Sequence, residues 1–270
     1  MKKRIISGMV FVALWVAILL INNPVFDTAI VALLALMATR EYYKAFRNIG
    51  YKPIAWIGYA GCMAIFLMGG IIPEEYKLLL IKIILPVGLI SAFAYMVVGN
   101  VKRTILDVAI TIFGLLYIPC LFAFLKLILG LREYSRFYLL YVLFGAFVSD
   151  TFAFLVGSKF GKTKLAPDIS PNKTVEGSMG GIIGVVISFI IMTVVGNYNG
   201  IPGDVFYWTM VGVAAAIAGQ FGDLTASAIK RFCKIKDFGN IMPGHGGILD
   251  RFDSLMFVAP IVYIFITLYV

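Results

Sequence analysis

The chain has 270 residues, of which 61% are hydrophobic and 14% are charged, and its formal net charge is +9. Soluble domains are nearer ~45–50% apolar and ~25% charged, so this composition excludes an ordinary soluble protein and predicts an integral membrane protein. The cysteines Cys62, Cys120 and Cys233 lie far apart without metal-ligand spacing. We therefore interpret them as apolar filler residues and one loop thiol.

Nine apolar segments can be read as membrane-spanning helices, each of which needs ~20 mostly apolar residues. In chain order they cover residues 5–21, 25–39, 54–72, 78–98, 104–129, 137–157, 178–196, 205–229 and 254–270. The N-terminal MKKR and the apolar run after it imitate a signal peptide. However, Asn22-Asn23-Pro24 offers no small-residue cleavage site, so we keep the first segment as a true span. The predicted fold class is an all-α polytopic membrane protein.

The distribution of basic residues predicts the orientation of these spans. Alternating them from a cytoplasmic N-terminus places most of the 23 Lys and Arg residues on the cytoplasmic side. The positive-inside rule therefore predicts a cytoplasmic N-terminus and an outer C-terminus. The polar loops 158–177 and 230–253 then both face the cytoplasm. We expect residues 1–135 to form a scaffold of lipid-facing helices, and residues 136–270 to carry the catalytic loops.

Two acids lie within or near predicted spans, Asp150 in the sixth and Asp223 in the eighth. Since an ionised carboxylate in the membrane costs at least ~2.5–3.5 kcal/mol, such a residue normally faces a polar cavity or a partner. A purely structural ion pair remains an alternative. Ser227, Lys230 and Arg231 follow Asp223 at helical spacing, so we expect the four side chains to share one face of the eighth span.

The segment 227–253 is polar and glycine-rich in an otherwise apolar chain. Its ionisable residues include the only histidine, three acids and five bases: His245, Asp237, Asp250, Asp253, Lys230, Arg231, Lys234, Lys236 and Arg251. Pro243 and the glycines beside it predict a tight turn whose backbone N–H groups can approach an anion. His245 in this turn is a candidate acid, base or phosphate donor.

Carboxylates and a guanidinium follow the turn. Asp250 and Asp253 are three residues apart, so they share a face if the ninth helix has begun. Carboxylates suit Mg²⁺, which also binds substrate phosphates. Arg251 between them offers a bidentate fork for phosphate. The segment therefore predicts a site for a phosphorylated ligand and a divalent cation.

The loop after the sixth span carries weaker signals. Its G-x-x-x-G-K at 157–162 covers only half of a P-loop and lacks a parallel sheet, so we reject an ATPase. Ser170-Pro171 is typical of a helix N-cap with proline at the first helical position, which would aim a helix N-terminus and Lys173 at an anion. Small-x-x-x-small spacings at Gly177/Gly181 and Gly180/Gly184 predict close helix packing.

Residues 227–253 follow the pattern S-A-I-K-R-x4-K-D-x-G-x3-P-G-H-G-G-I-L-D-R-F-D. This pattern resembles the signature of the phosphatidate cytidylyltransferases, or CDP-diacylglycerol synthases. The resemblance extends to G-D-L-T-A-S (222–227), S-P-N-K-T-V-E-G (170–177), K-L-A-P (164–167) and Asp150. It departs at Phe238, where a small polar residue is expected, and at Met242, where a branched aliphatic one is.

The resemblance implies transfer of CMP from CTP to phosphatidate, which gives CDP-diacylglycerol and pyrophosphate and requires Mg²⁺. It implies Asp223 and Asp250 as metal ligands, with Asp253 and Asp150 as further candidates and a second cation left open. The candidate catalytic residues are Asp223, Lys230, Arg231, Lys236, Asp237, His245, Asp250 and Arg251. The candidate substrate-binding residues are Ser170, Lys173, Thr174, Glu176, Ser227, Gly246 and Gly247.

The expected partners are CTP, phosphatidate and membrane lipid, with no nucleic acid, and the resemblance implies a homodimer. We expect a multi-pass protein of the inner (plasma) membrane with its active site facing the cytoplasm. The CDP-alcohol phosphotransferases are rejected because their D-G-x2-A-R-x8-G-x3-D-x3-D pattern is missing from the chain. The alternative function is a cation or proton transporter that uses Asp150 and Asp223.

Overall fold

The computed structural model describes residues 2–70, 74–98, 104–131, 133–242, 244 and 246–269, so predictions about Pro243 and His245 lie outside the described residues. The described part contains ten helices and two strands. They are α1 (Lys2–Leu20), α2 (Pro24–Asn48), α3 (Ala55–Gly70), α4 (Glu74–Val98), α5 (Ile105–Tyr117), α6 (Pro119–Leu129), α7 (Ser135–Phe160), β1 (Lys164–Ala166), β2 (Ser170–Thr174), α8 (Val175–Tyr198), α9 (Val205–Phe232) and α10 (Leu249–Tyr269).

Among the described residues, five helical segments are long and apolar enough to cross a membrane, which supports the prediction of a helical multi-pass membrane protein. They are α5 together with α6, then α7, α8, α9 and α10. Shorter apolar helices at Ser7–Leu20, Ala55–Leu67 and Lys82–Val98 coincide with three further predicted spans. The remaining predicted span, 25–39, falls in α2, which carries charged residues at both ends.

Local sequence signals explain several helix boundaries. Asn23 caps α2, since its side-chain oxygen accepts hydrogen bonds from the backbone N–H groups of Val25 and Phe26 at 2.9 and 3.1 Å. Thr104 and Asp107 form a capping box at the start of α5. The predicted fifth span is interrupted at Ile118, because Pro119 lacks the N–H group that would continue the helical hydrogen bonds.

The chain divides into two compact units. The first consists of Met1–Lys126 with Phe232–Asp250, and the second of Leu127–Arg231 with Arg251–Val270. In the first unit Tyr43 is fully buried, and its hydroxyl donates to the carbonyl oxygen of Thr111 at 2.8 Å. This bond satisfies the one polar group of a large core side chain.

The core of the second unit combines aromatic stacking with close helix packing. The rings of Tyr141 and Trp208 stack with centroids 4.2 Å apart. A Cβ atom added to Gly177 would lie 2.7 Å from the carbonyl oxygen of Ala153 in α7, and one added to Gly181 would lie 2.9 Å from that of Ser149. The small-residue spacing on α8 therefore serves helix packing, as predicted.

A two-stranded antiparallel sheet precedes α8, with Lys164 opposite Thr174 and Ala166 opposite Ser170. The predicted N-cap at Ser170-Pro171 is therefore wrong. Proline is tolerated in a strand at a sheet edge, and pairing with β1 keeps this segment extended. The cap of α8 is Thr174, whose hydroxyl oxygen accepts a hydrogen bond from the N–H of Gly177 at 3.1 Å.

Candidate active site

A cleft of about 450 Å³ opens in the second unit. Its walls come from α7, the small sheet, the start of α8 and the middle of α9. Four predicted site residues line it, although they are far apart in sequence: Asp150, Lys173, Thr174 and Asp223. The fold thus places a cation, a hydroxyl and two carboxylates around one space large enough for a small-molecule ligand.

Lys173 and Asp223 form an ion pair in this cleft, between the Nζ atom and the Oδ2 atom. Their side chains are 27% and 26% exposed, so the pair is only partly solvated. Each charge is the main neutraliser of the other within the lining of the cleft. A ligand that carries both phosphate groups and a bound cation is therefore complementary to this pair. Its phosphates suit Lys173, and its cation suits Asp223.

Further acidic groups lie near Asp223. Asp150 and Asp253 each interact electrostatically with the Asp223 carboxylate. Asp253 is 7% exposed, and its Oδ1 atom accepts a hydrogen bond from the backbone N–H of Ser254 at 2.8 Å. Lys230 provides positive charge to Asp253, as Arg251 does to Asp150. Three helices thus direct carboxylates into one region.

Within the described ranges, no set of three His, Cys, Asp or Glu side chains is already gathered as a metal-ligand cluster. The donor chemistry nevertheless suits a hard cation, because the acidic groups of this region supply carboxylate oxygens. In addition, a divalent cation would reduce the mutual repulsion of Asp150, Asp223 and Asp253. The residues present therefore fit Mg²⁺.

The predicted polar face of α9 is present. This helix carries all four predicted residues, Asp223, Ser227, Lys230 and Arg231. The Ser227 hydroxyl donates to the Asp223 carboxylate at 3.4 Å. Arg231 is exposed, and its Nε–H donates to the carbonyl oxygen of Ile169 at 3.1 Å. Arg231 therefore ties the end of α9 to the loop between the two strands.

Glu176, a predicted substrate-binding residue, has backbone partners. Its carboxylate accepts hydrogen bonds from the N–H of Lys162 at 3.0 Å and from the N–H of Thr163 at 3.2 Å. These contacts hold the loop that follows α7 against the first turn of α8. Glu176 therefore has a structural role in this loop. Thr174, two residues earlier, is the residue that lines the cleft.

The glycine-rich turn lies in the first unit and has the predicted tight geometry. Gly244 and Gly246 adopt φ angles of +82° and +88°, in the left-handed region that favours glycine. The N–H of Met242 donates to the carbonyl oxygen of Gly246 at 3.0 Å. Because α10 begins at Leu249, Asp250 and Asp253 lie on one helix three residues apart, as predicted.

Asp250 is buried, and its Oδ2 atom accepts hydrogen bonds from the N–H groups of Phe238 at 2.8 Å and Gly247 at 2.9 Å. The predicted anion-binding N–H of Gly247 thus already faces a carboxylate of the protein. Of the other predicted residues, Lys236 and Asp237 are exposed in this unit, and Arg251 is exposed in the second. The two expected metal ligands, Asp223 and Asp250, belong to different units.

Sequence reasoning missed Glu41, which is 4% exposed in α2. Its carboxylate accepts hydrogen bonds from the N–H of Ile248 at 3.0 Å and the N–H of Leu249 at 2.9 Å. The pKa of Glu41 lies above its ordinary value, mainly because burial raises it, although these two backbone hydrogen bonds lower it in part. Glu41 lies beyond the predicted span 25–39 among basic residues, and no local pattern distinguishes it from a solvated charge.

Gln220 and Ser178 were missed as well. Both line the cleft, and the Nε2 of Gln220 donates to the carbonyl oxygen of Ser178 at 3.0 Å while the Ser178 hydroxyl donates to the amide oxygen of Gln220. A usable signal was present, because Gln220 precedes Asp223 by three residues and so shares its helix face. Asn172 completes the amide groups of the lining.

Comparison with known proteins agrees with these features. Residues 2–269 match the model of the Cytidylyltransferase family. A phosphatidate cytidylyltransferase of Bacillus subtilis (strain 168) is 31% identical over 274 residues, covering 100% of this chain and 98% of that protein. Those of Staphylococcus haemolyticus and Aquifex aeolicus are 38% and 41% identical, over 63% and 66% of this chain and 64% and 63% of their own lengths.

The match over nearly the whole chain agrees with the motifs of residues 164–177 and 222–253, and it favours a transferase over the alternative of a transporter. The chain therefore belongs to the cytidylyltransferase family and is a nucleotidyltransferase.

Proposed function

We propose that this protein transfers CMP from CTP to phosphatidate and forms CDP-diacylglycerol and pyrophosphate, a step of phospholipid biosynthesis. The observation that carries the proposal is the Lys173–Asp223 ion pair in a cleft of about 450 Å³. The relatives named phosphatidate cytidylyltransferase support the choice of substrates.

In this reaction an oxygen of the phosphatidate phosphate attacks the α-phosphorus of CTP. The new P–O bond forms as the bond from the α-phosphorus to the bridging oxygen of the β-phosphate breaks, and that electron pair leaves with pyrophosphate. Because the attacking oxygen is already largely anionic at neutral pH, no strong base is needed. The protein's contribution is to position the groups and to neutralise charge.

The cleft residues suit these tasks. Lys173 would bind a phosphate oxygen with its ammonium group, and the hydroxyl of Thr174 lies beside it in the lining. Lys230 and Arg251 would balance phosphate charge from α9 and α10. When a nucleotide enters, the Lys173–Asp223 pair would separate, so that Lys173 faces phosphate and Asp223 faces a cation.

We further propose Mg²⁺ as the cofactor, held by Asp223 with Asp253 and Asp150 as its neighbours. On the sequence pattern and the family resemblance alone, we also keep Asp250 as a proposed metal ligand and allow a second cation. When bound, the ion would supply positive charge to the triphosphate. The carboxylates would bind this ion in a partly desolvated cleft, where electrostatic interactions are stronger than in water.

We propose nine spans, a cytoplasmic N-terminus, an outer C-terminus and an active site on the cytoplasmic side of the inner membrane. The excess of Lys and Arg in the loops predicted to be cytoplasmic supports this orientation. A homodimer remains a proposal that rests on the family resemblance.

The test is label transfer by the purified protein in detergent with phosphatidate and Mg²⁺. CTP labelled at the α-phosphate should give radioactive lipid, whereas CTP labelled at the γ-phosphate should give radioactive pyrophosphate and unlabelled lipid. Label from the γ-position in the lipid would show phosphoryl transfer and contradict the proposal. A transporter would leave CTP intact in both reactions.

A further inference from the structure

Glu41 joins two distant parts of the first unit. It lies in α2, and the residues whose N–H groups it accepts, Ile248 and Leu249, are 207 and 208 positions further along the chain. Those N–H groups stand at the start of α10, which begins at Leu249. A carboxylate at a helix start satisfies donors that have no partner within the helix. Glu41 is therefore an N-terminal anchor of α10, supplied from another helix.

Two glycines make room for this anchor. A Cβ atom added to Gly239 or to Gly247 would overlap the Glu41 carboxylate. Two positions of the glycine-rich segment, eight residues apart, therefore lie directly against the Glu41 carboxylate. Burial of a carboxylate is costly, and an apolar side chain would fill the same space at lower cost. The carboxylate is thus best explained by what its hydrogen bonds hold in place.

The residue after Leu249 is Asp250, whose Oδ2 atom accepts the N–H groups of Phe238 and Gly247. Glu41 and Asp250 therefore bind four backbone N–H groups within and beside the glycine-rich turn, those of Phe238, Gly247, Ile248 and Leu249. If the anchor moved, both the turn and the Asp250 carboxylate would move with it.

We propose that Glu41 is a positioning residue for cytidylyl transfer: by holding the N–H groups of Ile248 and Leu249 it sets the place of Asp250 and of the glycine-rich turn. This inference rests on the proposed function. Glu41 acts only through the backbone at the start of α10, without contact to substrate.

The test uses the full chain with four single variants and one double variant. Glu41→Ala removes the anchor, and Glu41→Gln keeps its size without its charge. Gly239→Ala keeps the carboxylate but pushes it aside, since the new Cβ would overlap it. Gly88→Ala is the matched control, because a Cβ at Gly88 has nothing within 4 Å.

We expect Glu41→Ala and Gly239→Ala to lower kcat/KM for CTP by roughly 10- to 100-fold, the scale that small displacements of reacting groups produce. The KM for CTP should rise, which a mere loss of folded protein does not cause. In the double variant Glu41→Ala/Gly239→Ala, the second change should cost nothing further, because the space that the carboxylate filled is then open.

Hydrogen exchange provides a readout that does not depend on activity. The peptide that contains Ile248 and Leu249 should exchange faster in Glu41→Ala and in Glu41→Gln than in wild type or Gly88→Ala. The proposal is overturned if Glu41→Ala and Gly239→Ala both keep the wild-type KM for CTP. It is also overturned if the losses of kcat/KM from these two changes are additive in the double variant. Inactive wild-type protein would instead overturn the proposed function itself.

Discussion

The Lys173→Met substitution removes the cation of the cleft while keeping most of the side chain's length. Lys173 is 27% exposed and forms an ion pair with Asp223. A hydrogen bond to a charged group contributes about 1.5–3 kcal/mol. Since about 1.4 kcal/mol corresponds to a factor of ten, losing one such bond to a CTP phosphate should lower kcat/KM for CTP about 10- to 150-fold.

The same substitution leaves Asp223 without its lysine partner. Exposed ion pairs contribute about 0–1 kcal/mol and breaking a buried one costs about 3–5 kcal/mol. For this partly exposed pair we expect a loss of about 1–2 kcal/mol, seen as a lower midpoint of thermal unfolding in detergent. The double variant Lys173→Met/Asp223→Asn should regain stability, because no unpaired charge remains, but it should stay inactive.

Steady-state kinetics with CTP as the varied substrate provides the assay, and Lys162→Met is the control. Lys162 is an exposed cation in the loop beside the cleft but not in its lining. The control should keep near wild-type kcat/KM and stability. Near wild-type kcat/KM in folded Lys173→Met would refute the assignment of the cleft as the CTP site.

Three further predictions concern packing, capping and orientation. Gly181→Leu should destabilise the second unit by about 1–3 kcal/mol, because its Cβ would already lie 2.9 Å from the carbonyl oxygen of Ser149; thermal unfolding measures this, and an unchanged midpoint would contradict it. Thr174→Ala should cost about 1 kcal/mol through the lost cap of α8, with Thr174→Ser close to wild type in the same measurement. A reporter fused to the C-terminus should be located on the outer side of the membrane. A reporter located in the cytoplasm would exclude the proposed orientation.

The sequence predicted best those features that depend on local chemistry. Hydropathy is a property of a short window, so the apolar helices α7 to α10 were visible without tertiary information. Helical spacing correctly placed Ser227 beside Asp223. The tight turn was likewise readable from its proline and glycines, and the structure shows left-handed backbone at Gly244 and Gly246.

Features that depend on tertiary contacts were less visible. The Ser170-Pro171 dipeptide suits both a helix N-cap and an edge strand, and only pairing with β1 decides between them. Glu41 is distinguished from a surface acid solely by the backbone N–H groups it reaches across more than 200 residues. The ion pair of Lys173 with Asp223 also joins segments that no sequence pattern connects.

If the cleft around Asp223 carries out cytidylyl transfer, then Asp223 is required for phosphatidate-dependent conversion of α-labelled CTP to labelled lipid. The decisive measurement compares this conversion by wild type and by Asp223→Asn, purified side by side and matched for folded protein. We expect labelled CDP-diacylglycerol from wild type and near-complete loss in Asp223→Asn, because the side chain that would face the cation has lost its charge. Comparable labelled lipid from both proteins would show that the cleft is not the site of transfer.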